Sequence, residues 1–419
     1  MPKFTLFSLL LLFISQHLCA QTTAPTEAWI GTGTVQARIV AGGPLVTDFQ
    51  IPNILADTLV SALNELSLWL GGTDAAANYR LSIQHPENAK NDFAGGFRDI
   101  PQSARVWKVT KDQIIKHQLD FADNGVIDDP IPDIFAWPAR KNPWSMQYNG
   151  FAVMDSFDRK LTAPYAEWGP DQYDPAKGDY PHLTYVIYNI ERQPDEMVFV
   201  PFHVKIVSAQ FPDITPISVN GSAFFFTYYC DDADFLDHAV FGYVTLEFPK
   251  HDQLNDLYLA FRMDAQIGDP QDDYFGYIPG HSVAYFYNSD TSIITGSNQF
   301  PPVVGFDVYG GITDTFGDLK GITNVILINP DDPVWPAYST EPVNQFQYYR
   351  CISGHWRDGQ PLTHGGTGYG GSVLAQHIFP DAPFDTSGWS EISAGNQPGD
   401  RRAIISSGPV NTTNEYTKT

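Results

Sequence analysis

Short apolar runs rich in Val, Ile, Phe, Tyr and Thr recur along the chain, and Gly and Pro residues fall between them. β-Branched and aromatic residues fit the pleated surface of a sheet, so such runs between turn residues mark the short strands of sandwiches and barrels. The pattern predicts strands at Val35–Val40, Leu66–Leu70, Tyr79–Ile83, Leu183–Tyr188, Met197–Val207, Ala223–Tyr229, Val240–Phe248, Leu257–Met263 and Val283–Tyr287. Helical spacing is clear at one place. Thr110 offers a capping hydroxyl, and Ile114, Ile115 and Leu119 fall on one face, which predicts a short surface helix over Lys111–Phe121. Ala56–Leu66 is a second, weaker helix candidate. The 34 Gly and 32 Pro residues punctuate these runs. The expected class is all-β: mainly an antiparallel β-sandwich with long loops and one or two short helices.

The same punctuation divides the chain. Lys3, the apolar run Leu6–Ile14 and the small-residue stretch Leu18-Cys19-Ala20 before Gln21 make residues 1–20 a signal peptide, so the chain is expected to be exported, secreted or on the cell surface. Residues 21–135 read as an N-terminal β-rich unit and 136–181 as Pro-, Trp- and Asp-rich connecting loops. Residues 182–300 read as a central β-sandwich, and 301–419 as a loop-rich extension packing on it. No stretch reaches the ~20 apolar residues that span a bilayer, so no helical transmembrane anchor is expected. Exported proteins meet oxidising conditions, and loss of the signal peptide leaves Cys230 and Cys351. A disulfide between them would close a loop long enough to contribute roughly 4–5 kcal/mol. Two buried free thiols are the other reading.

Charge narrows the function classes. With 24 Lys and Arg against 48 Asp and Glu, the formal net charge is −24. Binding nucleic acid needs a positive stripe to displace counterions, so nucleic acid is excluded as a partner, as is an anionic membrane surface. Disorder is excluded too, because hydrophobic residues make up 43% and charged residues 17% of the chain.

Signatures of familiar chemistry are missing from the sequence: Gly-x-Ser-x-Gly, His-Glu-x-x-His, a phosphate-binding Gly-rich loop with Lys-Ser/Thr, and Cys-x-x-Cys. The Gly-rich run Gly365–Gly371 has no strand before it or helix after it, and reads as a loop. Clustered carboxylates are the positive signal. Asp264, Asp269, Asp272 and Asp273 follow the strand Leu257–Met263 on a turn-rich loop with Gly268 and Pro270, and are the best candidate for Ca²⁺, which takes six to eight oxygens from such loops. A second cluster, Asp120, Asp123, Asn124 and Asp128, resembles the first nine positions of an EF-type loop with Gly125 sixth. Ala122 and Ile131 stand where ligands belong. Asp171, Asp174 and Asp179 form a third. For each cluster the alternative is an Asx-turn, in which the carboxylate bonds its own backbone.

Other residue types carry less. His281, His355, His364 and His377 show no ligand spacing. Trp137, Trp144, Trp168, Tyr165 and Tyr173 are candidates for a sugar-binding platform or for sealing one end of the sandwich. Asp264 and Asp273 are candidates for an acid/base pair acting on a glycan. No catalytic residue is assigned.

A series of short motifs resembles one family. It runs through Leu68-Trp69-Leu70-Gly71-Gly72, Asn91-Asp92-Phe93-Ala94-Gly95-Gly96, Tyr173-Asp174-Pro175, Arg262-Met263-Asp264, Asp272-Asp273-Tyr274-Phe275-Gly276, Gly388-Trp389 and Gly399-Asp400-Arg401-Arg402. In this order they resemble a poorly characterised family of large secreted surface proteins of Bacteroidetes, associated with type IX secretion. The resemblance implies export and a surface or secreted life, and no reaction. It also carries the expectation that the C-terminal sorting domain of such proteins is not within this chain. Here Asp155-Ser156-Phe157-Asp158 is separated from Tyr173 by an apparent insertion, which weakens the parallel there. The combined expectation is a non-enzymatic binding or structural protein stabilised by calcium, with an extracellular glycan or another surface protein as partner. A glycan-active enzyme using loop carboxylates and a structural subunit of an extracellular assembly are the alternatives.

Overall fold

The computed structural model describes residues 25–53, 58–139, 141–152, 173–182, 193–229, 234–248, 253–289, 303–313, 319–330 and 333–412. The signal peptide, the strand expected at Leu183–Tyr188, and Cys230, Asp171, Tyr165 and Trp168 lie outside them. In chain order the strands are β1 (Glu27–Gly31), β2 (Gln36–Val40), β3 (Asp48–Asn53), β4 (Thr58–Thr73), β5 (Tyr79–Ile83), β6 (Phe93–Gly95), β7 (Trp107–Thr110), β8 (Glu196–Val204), β9 (Asn220–Thr227), β10 (Phe241–Glu247), β11 (Asn255–Ala265), β12 (Asp273–Ile278), β13 (Val283–Asn288), β14 (Val304–Asp307), β15 (Ile312–Thr313), β16 (Leu319–Lys320), β17 (Ile322–Ile328) and β18 (Arg402–Val410). The helices are α1 (Lys111–Asn124), α2 (Pro132–Ala136), α3 (Ser145–Asn149), α4 (Asp234–Asp237) and α5 (Gln345–Ile352). The fold is mostly antiparallel β-sheet with short helices, as the short β-rich runs between turn residues predict.

The largest sheet has the order β1-β2-β3-β4-β11-β18-β17, with β5 also beside β4. A second sheet runs β10-β9-β8, with β6 and β7 both on the free side of β8, and β12-β13-β14 make a third. The large sheet draws β1–β5 from residues 21–135, β11 from 182–300, and β17 and β18 from 301–419, so its strands come from all three expected β-containing ranges. β18 lies between β11 and β17, and residues beyond 301 are thus part of the sheet as well as a covering layer.

The second sheet is buried on both faces, which follows from its period of two. Val198, Val200, Phe202 and Val204 of β8 join the main core with Ala223 and Phe225 of β9. Their alternates Met197, Phe199, Phe224 and Phe226 join a smaller core with Trp107, Ile114, Ile134 and Trp137, supplied by β7, α1, α2 and the turn after α2. On the large sheet, α5 covers part of one face: Tyr348 packs on Trp69 with ring centroids 4.8 Å apart. Gly71 lets this helix approach, since a Cβ there would lie 3.1 Å from Cδ1 of Ile352.

The helix expected at Ala56–Leu66 is a correction, because β4 runs through Thr58–Thr73. From Glu65 to Gly72 every residue of β4 is buried, on both faces. The misread part is the first half of β4, where Leu59, Ala62, Leu63 and Leu66 fall at helical spacing because a register shift beside Leu63 puts Ala62 and Leu63 both inside; Leu66–Leu70 is strand as expected. The helix at Lys111–Phe121 is present and runs on to Asn124.

Candidate cation sites

α1 positions the first acidic cluster. Its N-terminus carries a reciprocal capping box between Thr110 and Gln113, with Asp112 in the first turn. It ends at Gly125 in the left-handed conformation, φ 78°, whose N–H donates to the Phe121 carbonyl. Asp120 and Asp123 therefore sit in the last turn, at the negative end of the helix dipole, where no basic residue is present. Oδ1 of Asp120 accepts from the Asp128 N–H at 3.2 Å and Oδ2 from the Asp129 N–H at 3.0 Å, folding the chain back over the helix end. Asn124 Oδ1 accepts from Val126 N–H at 2.8 Å, and its Nδ2 donates to Asp128 Oδ2 at 2.7 Å. Carboxylate oxygens of Asp120, Asp123 and Asp128 come within 4.8 Å of one another, and Asp123 and Asp128 are exposed. An all-oxygen donor set of this kind suits a hard cation such as Ca²⁺. Asp120–Asn124 are helical, so this is not an EF-type loop despite its spacing.

The cluster ranked first by spacing is arranged differently. Asp264, near the end of β11, faces Arg262 Nη2 at 3.1 Å and Arg402 Nε at 2.8 Å. Burial raises its pKa, but the two guanidinium groups outweigh that and hold it below the ordinary carboxylate range. Arg262 also meets Glu65 Oε2 at 3.2 Å and Glu341, so this network is internally paired. Asp269 makes the Asx-turn alternative, its Oδ1 accepting from Gln271 N–H at 2.9 Å. Asp273 opens β12 opposite Asn288 of β13 and is 0% exposed. Burial, reinforced by the fields of Asp272 and Asp400, pushes its carboxyl up to about 8. Among the described residues, Asp264, Asp269, Asp272 and Asp273 do not converge as a group within 4.8 Å.

Asp174 and Asp179 hold a turn. Asp174 Oδ1 accepts from Trp144 Nε1 at 3.0 Å, its Oδ2 pairs with Lys177 at 2.9 Å, and Asp179 Oδ2 accepts from the Asp174 N–H at 2.8 Å. The aromatic platform is likewise internal. Trp137 and Tyr173 are buried in the smaller core, Tyr173 donating to the Ile134 carbonyl at 2.7 Å, so these rings seal the fold. Cys351 is a buried free thiol in α5, pushed up to about 12 by burial.

Spacing alone did not single out Asp400, Glu391 or Arg401 as site residues. Arg401 is buried, pairs with Glu391 at 3.2 Å, donates to Asn329 Oδ1 at 2.9 Å and lies 4.7 Å above the Trp335 ring. The available signal was the charged run Asp400-Arg401-Arg402 beside a strand of Ile and Ala. Among the described residues, no helix is long and apolar enough to cross a membrane. Compared with known protein families, curated proteins and solved structures, the chain matches none.

Proposed function

We propose that this chain is an exported or cell-surface binding or structural module whose acidic loops take up Ca²⁺, with Asp120, Asp123 and Asp128 as the loop site. The observation that carries the cation reading is the convergence of three carboxylates at a helix C-terminus with no basic residue in its last turn. Repulsion among them is relieved by a bound cation, and exposed extracellular modules hold Ca²⁺ at roughly 10⁻⁴–10⁻³ M. The N-terminal leader pattern and the resemblance to secreted surface proteins support export. An extracellular glycan or another surface protein is the kind of partner such a module meets.

The glycan-active alternative drew on Asp264 and Asp273. Asp264 is engaged by two arginines and Asp273 has no exposed surface, so this pair is poorly placed to receive a substrate. Calorimetric titration of the full chain with Ca²⁺ tests the loop site. Asp123→Asn combined with Asp128→Asn changes two exposed side chains and leaves Asp120 to hold the turn. The expected result is loss of one binding event with an unchanged fold. Identical uptake by variant and wild type would remove the triad from the account.

A further inference from the structure

A second concentration of oxygen lies where the β12–β13 hairpin meets the segment leading into β18. Asp273 is anchored on two sides: its Oδ2 accepts from the Ile267 N–H at 3.3 Å, and its carbonyl accepts from the Gly399 N–H at 3.0 Å. Its Oδ1 is buried and finds no donor among the described residues. One residue past Gly399, Asp400 gives Oδ2 to Arg402 at 3.1 Å, while its own Oδ1 is also buried without a donor. Asn288 stands directly across the ladder from Asp273, and Asp272 precedes it.

Buried polar atoms in folded proteins are nearly always partnered, so two unpartnered carboxylate oxygens on segments joined by the Gly399–Asp273 backbone bond call for a ligand. The basic groups close by are already engaged: Arg401 with Glu391 and Asn329, Arg402 with Asp264 and Asp400. A proton would serve one oxygen. A hard divalent cation serves several at once and is the ligand that carboxylate, amide and carbonyl oxygens select. The carboxylates do not form a trio within 4.8 Å, so such a site is built on a carboxylate pair and completed by neutral oxygens.

We propose that Asp273 and Asp400, with Asp272 and Asn288 alongside, form a buried Ca²⁺-type site that clamps the β12–β13 hairpin to the entry of β18. It is separate from the Asp120 loop, though it shares the calcium reading of the chain. A cation there offsets the negative charge of Asp272, Asp273 and Asp400, and it joins two segments far apart in sequence.

The test uses the full chain carrying Asp123→Asn and Asp128→Asn, with Ca²⁺ alone as the probe, followed by calorimetry and thermal melting. This background should still take up Ca²⁺ and melt higher with it. Adding Asp400→Asn, a half-buried and conservative change, should abolish the remaining uptake and the Tm gain, and Asp273→Asn should do the same. If the background takes up no Ca²⁺ while the wild type does, the buried site is overturned and the loop site stands. Uptake by the background that survives Asp400→Asn and Asp273→Asn also overturns it. No uptake by the wild type overturns both.

Discussion

Arg262 holds Glu65, Asp264 and Glu341 around one buried guanidinium group, and the Asp264 carboxylate is shared with Arg402. Removing one member of such a buried network strands the others, at a cost of about 3–5 kcal/mol. Arg262→Met keeps most of the volume and should lower stability by about that much in urea unfolding. Burial already pulls the Glu65 pKa upward against the attraction of Arg262. Adding Glu65→Gln to Arg262→Met should therefore recover part of the loss, because one stranded charge disappears; strictly additive losses would contradict the network. Asp264 is on this account a structural ion-pair residue, and Ca²⁺ should not alter its contribution. Spacing grouped it with Asp269, Asp272 and Asp273 because they are close in sequence. Spacing is blind to the arginines that reach Asp264 from β18 and from its own strand.

Elements differ in how well the sequence announces them. β2, β5, β8, β9, β10, β11 and β13 each overlap an expected run, β2 through its alternation and β8 and β9 through nearly unbroken apolar residues. α1 is legible from its cap, while of the expected apolar stripe only Ile114 is buried and Ile115 and Leu119 are exposed, His117 taking the inner place. Only the first half of β4 reads as helix, from the spacing of Leu59, Ala62, Leu63 and Leu66, and β17 and β18 go unread; in β18 the apolar run Ala403–Ile405 is short and is followed by Ser406-Ser407-Gly408-Pro409, although both serines are buried. The strap Gln376–Ile378 beside β17 offers a test at this scale. Val325 N–H donates to the Gln376 carbonyl at 2.9 Å, Ile378 N–H donates to the Val325 carbonyl at 3.1 Å, and the His377 ring lies 4.8 Å from that of Tyr277. Burial lowers the His377 pKa, so the folded chain binds fewer protons than the unfolded chain. Its contribution to stability is then full above the unfolded value, about 6.5, and is lost as pH falls below it. His85 and His117 are lowered in the same way, with burial as the main cause, and add to the slope. His377→Gln, which cannot titrate, should lose less stability than the wild type between about pH 6.5 and 5. Parallel stability curves for the two would remove His377 from the acid response.

At the scale of the whole molecule, a formal charge of −24 repels itself, and the repulsion is not spread evenly. Part of it gathers at the end of α1, and part is buried where the hairpin meets β18. The sequence displayed the acidic loops but not their outcomes. One cluster was drawn into ion pairs, one into a turn, and one was left converging at a helix end. Those outcomes depend on residues such as Arg402 and Asp400, which the sheet order brings beside β11 and β12 from the far end of the chain. The central claim is that cations balance the remaining clusters. Thermal melting of the full chain in saturating Ca²⁺ and in excess chelator tests it most directly. At a free Ca²⁺ about a hundred times Kd, one site adds about 2.7 kcal/mol to stability, so the melting temperature should rise clearly with Ca²⁺ and fall on chelation. Superimposable melting curves under the two conditions would contradict the account.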